Sequence, residues 1–205
     1  LLNGKRFDKG GYILTYDYDK WSFIDPKEAQ KKLNLPRNPR DYTSIAVTTD
    51  DSNDEIVYAS SMGDGVIQYK NGTPVQSYNE KNAFKETAGG YGSGYCYIDG
   101  LAFDKNGNLW MTSSEVNHAV LVLDKAGAWH RLDIEQLRGV YTINDILITS
   151  TNDKWIYVPR NTPKLVMIPN SESLDEVSSY EFTTLIDTDG KELTPSNYTC
   201  VAEDK

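Results

Sequence analysis

Four stretches of this chain repeat one another, and that repetition limits its architecture more than any other feature. They are Thr43-Ser44-Ile45-Ala46-Val47-Thr48, Asp99-Gly100-Leu101-Ala102-Phe103-Asp104, Asn144-Asp145-Ile146-Leu147-Ile148-Thr149 and Thr199-Cys200-Val201-Ala202-Glu203-Asp204. With Ile45, Leu101, Ile146 and Val201 taken as equivalent, the spacings are 56, 45 and 55 residues. A second run in each unit is apolar, aromatic and β-branched, as a buried strand requires: 56–60, 109–113 and 154–158. Trp110 and Trp155 both stand nine residues after the reference position. Third runs follow at 65–69, 119–123 and 164–168. Shorter, more polar fourth runs, 75–78 and 128–132, suit sheet edges. Turn chemistry separates the runs, with glycine or Asn-Gly where a positive φ is needed: 104–108, 124–127 and 70–73.

A unit of four short strands repeating at this period predicts an all-β chain, a partial β-propeller of about three to four four-stranded blades. The blades fall at 43–78, 98–132 and 142–185, preceded by a partial one at 11–24 and followed by the first strand of another at 198–205. The chain therefore reads as one propeller segment, 1–205, of a larger ring. One short helix is expected after Asp25, which can cap, with Pro26 at the first helical position, Glu28 three residues on, and Pro36 as a stop. A single turn is expected at 133–138.

Composition removes several classes of function. A net charge of −9 with no basic stripe disfavours nucleic acid and anionic membrane surfaces. No apolar run is long enough to span a bilayer. Cys96 and Cys200, 104 residues apart, are expected to be free and partly buried. His118 and His130 are the only histidines, and no Cys/His spacing resembles a zinc site, so no metal and no cofactor are expected. Tyr91-Gly92-Ser93-Gly94-Tyr95 only superficially resembles a nucleophile elbow, since no strand-to-helix context surrounds it. Asp50-Asp51-Ser52-Asn53-Asp54 and Asp187-Thr188-Asp189-Gly190 lack the layout of a calcium loop and read as solvated turns. No catalytic residue is assigned, and the chain is not expected to be an enzyme.

The remaining candidates are binding residues. The segment Gly89-Gly90-Tyr91-Gly92-Ser93-Gly94-Tyr95 joins two blades, and its alternating Gly and Tyr suit stacking on sugar rings or clasping a peptide; a plain linker has the same composition. Tyr91, Tyr95 and Tyr97 are therefore candidate ligand contacts. Asn117 and His118 follow the second strand of one blade, and Arg160 and Asn161 that of the next, which predicts the same rim for all of them.

The string from Ile98 to Met111, with Asp99-Gly100-Leu101-Ala102-Phe103-Asp104, Gly107-Asn108 and Leu109-Trp110-Met111, resembles the two-component regulator propeller repeat of periplasmic sensor proteins. The chain resembles more closely the propeller of PorZ-type proteins of the type IX secretion system. That likeness rests on Ser60-Ser61-Met62-Gly63-Asp64-Gly65-Val66, Tyr78-Asn79-Glu80-Lys81-Asn82 and Gly127-Ala128-Trp129, and extends over about 11–205. The resemblance implies an exported, periplasmic or cell-surface protein whose partner is a glycan, a lipopolysaccharide component or a protein, and it brings no catalytic residues with it. The alternative it leaves open is a periplasmic oligosaccharide-sensing propeller of a hybrid two-component regulator; a propeller hydrolase or lyase, which would need a calcium or His-rich centre on the channel axis, is the less favoured third reading. Exposed blade edges also predict edge-mediated self-association.

Overall fold

The computed structural model describes residues 11–84 and 94–204, which fall into two compact units, 11–84 with 94–98, and 99–204. Each is built from antiparallel sheets of short strands taken in chain order.

In the first unit β1 (Ile13–Asp17) and β2 (Lys20–Ile24) form a hairpin, followed by the helix α1 (Pro26–Leu33). The Asp25 carboxylate caps α1 by accepting the Lys27 N–H at 2.9 Å, and Asn34 ends it in the left-handed conformation. Strands β3 (Tyr42–Thr49), β4 (Glu55–Gly63), β5 (Gly65–Lys70) and β6 (Thr73–Tyr78) then pair successively. Ile13 and Ala29 pack with Val57, Ala59, Ile67 and Tyr69, so the hairpin and helix cover one face of this sheet. Cys96 and Tyr97, which open β7 (Cys96–Phe103), pair with Gly63 and Met62 of β4. Gly65 sits at φ +79°, and an added Cβ there would lie 2.1 Å from the Tyr78 carbonyl, so only glycine fits this turn.

The second unit takes the rest of β7 with β8 (Leu109–Ser113), β9 (Val120–Leu123) and β10 (Trp129–Leu132). A single 3₁₀ turn at Glu135–Leu137 leads to a four-stranded sheet of β11 (Ile146–Ile148), β12 (Lys154–Val158), β13 (Lys164–Ile168) and β14 (Tyr180–Phe182). One core joins the two sheets: Trp110, Val120, Val122 and Leu132 meet Ile146, Ile156, Val166 and Ile168. Face-to-face apolar packing of successive four-stranded sheets is the arrangement the repeat predicts.

The first two strands of each repeat are joined by the same five-residue turn. Asp50 N–H donates to the Asp54 carbonyl at 3.0 Å, Asp104 N–H to Asn108 at 2.9 Å, and Thr149 N–H to Asp153 at 2.9 Å. The fourth residue has a positive φ each time: Asn53, Gly107 and Asn152. Asp50 and Asp104 each accept two N–H groups of their own turn through one carboxylate oxygen, at 2.9 Å. This turn corrects the sequence alignment. Val47, not Ile45, stands three residues before its turn, as Leu101 and Ile146 do. β3 also shifts register against β4 between Tyr42 and Ile45.

Two further expectations change. No strand forms in 198–204. The segment is held instead by the Tyr157 hydroxyl, which donates to the Thr199 carbonyl at 3.2 Å, and by Glu203, which accepts the Ser150 N–H at 2.7 Å. A small hairpin that the sequence did not announce, β15 (Leu185–Ile186) with β16 (Glu192–Leu193), closes over the 187–191 turn. The cysteines are both free, but only Cys96 is buried, and Cys200 is exposed. Burial, with Glu80 nearby, pushes the Cys96 thiol up to about 12.

Candidate functional site

Successive repeats are tied by hydroxyl groups that donate to the carbonyl opening the next repeat. Thr43 Oγ1 donates to Ile98 O at 2.7 Å, Thr112 Oγ1 to Asn144 O at 2.8 Å, and Tyr157 OH to Thr199 O at 3.2 Å. In the second unit these links converge on the connecting segment 139–144. Glu115 N–H donates to Val140 O and Gly139 N–H to Val116 O, both at 2.8 Å, while Ile143 N–H donates to Ser114 Oγ at 2.8 Å. The far end of the same segment, Thr142 and Asn144, lines a groove of about 420 Å³ with Pro159, Arg160, Asn197 and Tyr198.

The groove offers chemistry suited to a polyhydroxyl or anionic ligand. Arg160 is exposed at its wall, beyond the end of β12. Asn144 is fixed by donating from Nδ2 to the Tyr157 hydroxyl at 3.0 Å. In the orientation its neighbours require, the Asn197 amide donates to Pro159 O at 3.2 Å and to Ser196 O at 3.0 Å. The Tyr198 backbone N–H donates to Pro159 O at 3.3 Å. Its hydroxyl is buried without a hydrogen-bond partner among the described residues, and burial raises its phenol above the ordinary value. An exposed guanidinium with two amides around one groove can hold sugar hydroxyls together with a carboxylate or phosphate.

Beside this segment lies a pair of carboxyl groups that sequence reasoning passed over. Burial holds Asp99 well above the usual carboxylate range, against a 2.7 Å hydrogen bond donated by Ser114 Oγ, with Asp145 and Glu115 adding repulsion. Asp145 is also raised by burial. In sequence, Asp99-Gly100 reads as repeat signature alone. Its signal was the juxtaposition of that Asp-Gly pair with the Asn144-Asp145 start of the following repeat, which becomes visible once Thr112 connects them.

The sequence-selected residues divide between the two units. Tyr95 lines a smaller groove of about 280 Å³ with Arg37, Asp64, Glu80 and Lys81, where Arg37 Nε donates to Asp64 at 2.7 Å. Tyr97 meets Tyr95 edge-on, ring centres 6.4 Å apart. Tyr91 lies outside the described residues. In the second unit Asn117 is exposed and His118 half-buried; the Asp133 carboxylate is lowered chiefly by its hydrogen bond from Arg138, with His118 adding a smaller electrostatic pull. Asn161 adopts a left-handed φ of 59° and is exposed. Of the six that are described, Arg160 alone lines the Thr142–Thr199 groove. His130 bonds Asp124 at 3.0 Å and Asp175 at 3.1 Å. No set of three His, Cys, Asp or Glu side chains placed to hold a metal ion occurs among the described residues. No helix among them is long and apolar enough to cross a membrane.

Four-stranded antiparallel sheets stacked through apolar faces, repeated along the chain, define a β-propeller type of fold. The solved structure of PorZ, an essential bacterial surface component of the type IX secretion system of Porphyromonas gingivalis, matches it with a TM-score of 0.77 at 19% identity. That match covers 92% of this chain and 26% of PorZ, so the chain spans about a quarter of the length of that protein. The extracellular domain of the hybrid two-component system BT3049 from B. thetaiotaomicron overlaps 72% of this chain and 19% of its own, at 16% identity and a TM-score of 0.43. No family model and no curated protein matches the chain. The propeller expected from the repeat, and the PorZ-type resemblance, agree with the first of these structures.

Proposed function

We propose that this chain is a non-catalytic binding segment of an exported, periplasmic or cell-surface propeller protein, and that its ligand is a glycan carrying acidic groups, such as a lipopolysaccharide component. The observation that carries this reading is the Arg160 groove, lined by an exposed guanidinium and the residues Asn144 and Asn197, with Asn144 held by Thr112 and Tyr157. The fold similarity to a bacterial surface component supports the exported setting. A second reading, an oligosaccharide sensor of a hybrid two-component system, draws on the likeness of 98–111 to the regulator propeller repeat.

Titration calorimetry with delipidated lipopolysaccharide O-polysaccharide tests the proposal. Saturable binding is expected, weakened about tenfold or more by Arg160→Ala, the loss of one charge-assisted contact. Preference for neutral oligosaccharides, indifferent to Arg160, favours the sensor reading. No saturable binding to any glycan overturns both.

A further inference from the structure

In the second unit the chain leaves β13 and reaches β14 through the segment 169–179, which forms no strand of its own. Its ends are pinned. The Asn170 N–H donates to Asp153 Oδ1 at 2.8 Å, and Ser179 Oγ donates to Gln136 Oε1 of the 3₁₀ turn at 3.0 Å. Between the pins, Leu174 and Val177 pack against the core that joins the two sheets of this unit. Asp175 stands between these two apolar residues, and its carboxylate bonds His130 Nδ1 on β10 at 3.1 Å. The segment is thus a strap, held at mid-length to β10 by one side-chain tie.

The other ring nitrogen, Nε2, bonds Asp124 Oδ2 at 3.0 Å. Both nitrogens of His130 therefore face carboxylate oxygens, which only accept. Imidazolium donates to both. Neutral imidazole has a single N–H, so its second nitrogen turns a lone pair towards an anion. The two carboxylates are not equally free to leave. Asp124 is fixed in the β9–β10 turn, where its Oδ1 accepts the Ala128 N–H at 2.8 Å. Asp175 is largely exposed and sits on backbone without strand pairing. Loss of the proton therefore releases Asp175, and a segment with few buried apolar contacts then opens at low cost.

The charged groups acting on His130 are Asp124 from the turn and Asp175 from the strap, and its cross-strand neighbour on β9 is the apolar Val122. The bond to Asp124 raises its pKa most, burial opposes, and Asp175 adds to the rise, so the change falls above the ordinary imidazole value.

We propose that His130 is the pH-sensitive clasp of the 169–179 strap, closed while the ring is protonated and loosened when it is neutral. The strap shares no residue with the Arg160 groove, so its test is independent of the glycan reading.

Methyl NMR of the full chain between pH 5.5 and 9.5 tests this. The Leu174 and Val177 methyl signals are expected to shift with the same midpoint as the His130 Cε1–H signal. Their cross-peaks to core methyls should fall at least twofold at the alkaline end, while the Ile156 methyls stay in place. In Asp175→Asn the ring should still titrate without the two methyls following it, and in His130→Gln they should not move. Unchanged core methyl shifts verify that each variant is folded. Strap methyls indifferent to pH in the parent, or following the same curve in either variant, would overturn the proposal. A ring that keeps one protonation state throughout would overturn it as well.

Discussion

The ammonium of Lys154 lies 4.6 Å from the centre of the Trp110 ring, and each of the two side chains is 1% exposed. The pair spans the two sheets of the second unit, β8 in one and β12 in the other. Trp110 in turn donates its Nε1–H to Asp104 Oδ2 at 2.9 Å, and Asp104 also accepts from Asn106 and Asn108. Burial lowers the Lys154 pKa, while Asp104 and Asp153 oppose that shift.

Asp104 and Asp153 keep other donors when the ammonium is removed, since Asp153 accepts from Thr151 and from the Asn170 N–H. Lys154→Met, which keeps the volume, is therefore expected to change stability by less than about 1 kcal/mol. Lys154→Ala leaves a cavity under Trp110 and should cost about 2–4 kcal/mol. Urea denaturation of the two variants separates the packing role from the charge.

Gly100 shows how closely the repeats approach. An added Cβ would stand 2.6 Å from Asp145 Oδ1 and 2.8 Å from both the Asp145 Cα and the Ile146 nitrogen. Backbone cannot yield as a side-chain tip can, so Gly100→Ala should cost about 1–3 kcal/mol or more. Gly127→Ala meets nothing within 4 Å, and should lose only about 1 kcal/mol through its φ of +89°. Thermal unfolding of both variants checks the contrast.

Asp99 makes stability depend on pH. Its folded pKa is raised, so between the unfolded value near 3.8 and the folded one the native state holds a proton that the unfolded state has released. Stability falls as pH rises through that window and stays lowered above it. Asn does not ionise, and its side-chain oxygen can still accept from Ser114. Asp99→Asn is thus expected to be more stable than the parent at pH 7, with a smaller gain at pH 4.5. Denaturant midpoints at the two pH values would show this. A variant less stable at pH 7 would refute the assignment of a buried, disfavoured carboxylate.

His130 gives the opposite slope. Bonding to Asp124, and secondarily to Asp175, raises its folded pKa, so the contribution is present below the unfolded value of about 6.5 and fades as pH rises through the folded value. Asp175 is largely exposed, which keeps the effect within about 1 kcal/mol. His130→Gln should lose more stability at pH 5.5 than at pH 9, measured by the same denaturation.

The propeller sheets were legible because their signals are local: alternating strands, Asp-led turns and left-handed Gly or Asn within each repeat. The ties between repeats were not. Thr112, Tyr157 and Lys154 look like ordinary strand residues, and their partners Asn144, Thr199 and Trp110 lie 32 to 44 residues away. Arg160 was found by its place after a second strand, but Asn197 and Tyr198, which share its groove, stand where another repeat is expected to open and no strand forms.

Glycan binding by the second unit, as proposed, runs through the Arg160 groove. An NMR titration of the ¹⁵N-labelled chain with delipidated O-polysaccharide measures this residue by residue. Saturable amide shifts clustered at Asn144, Arg160, Asn197, Tyr198 and Thr199 are the predicted result. Absence of saturable shifts, or shifts confined to residues remote from this groove, would contradict it.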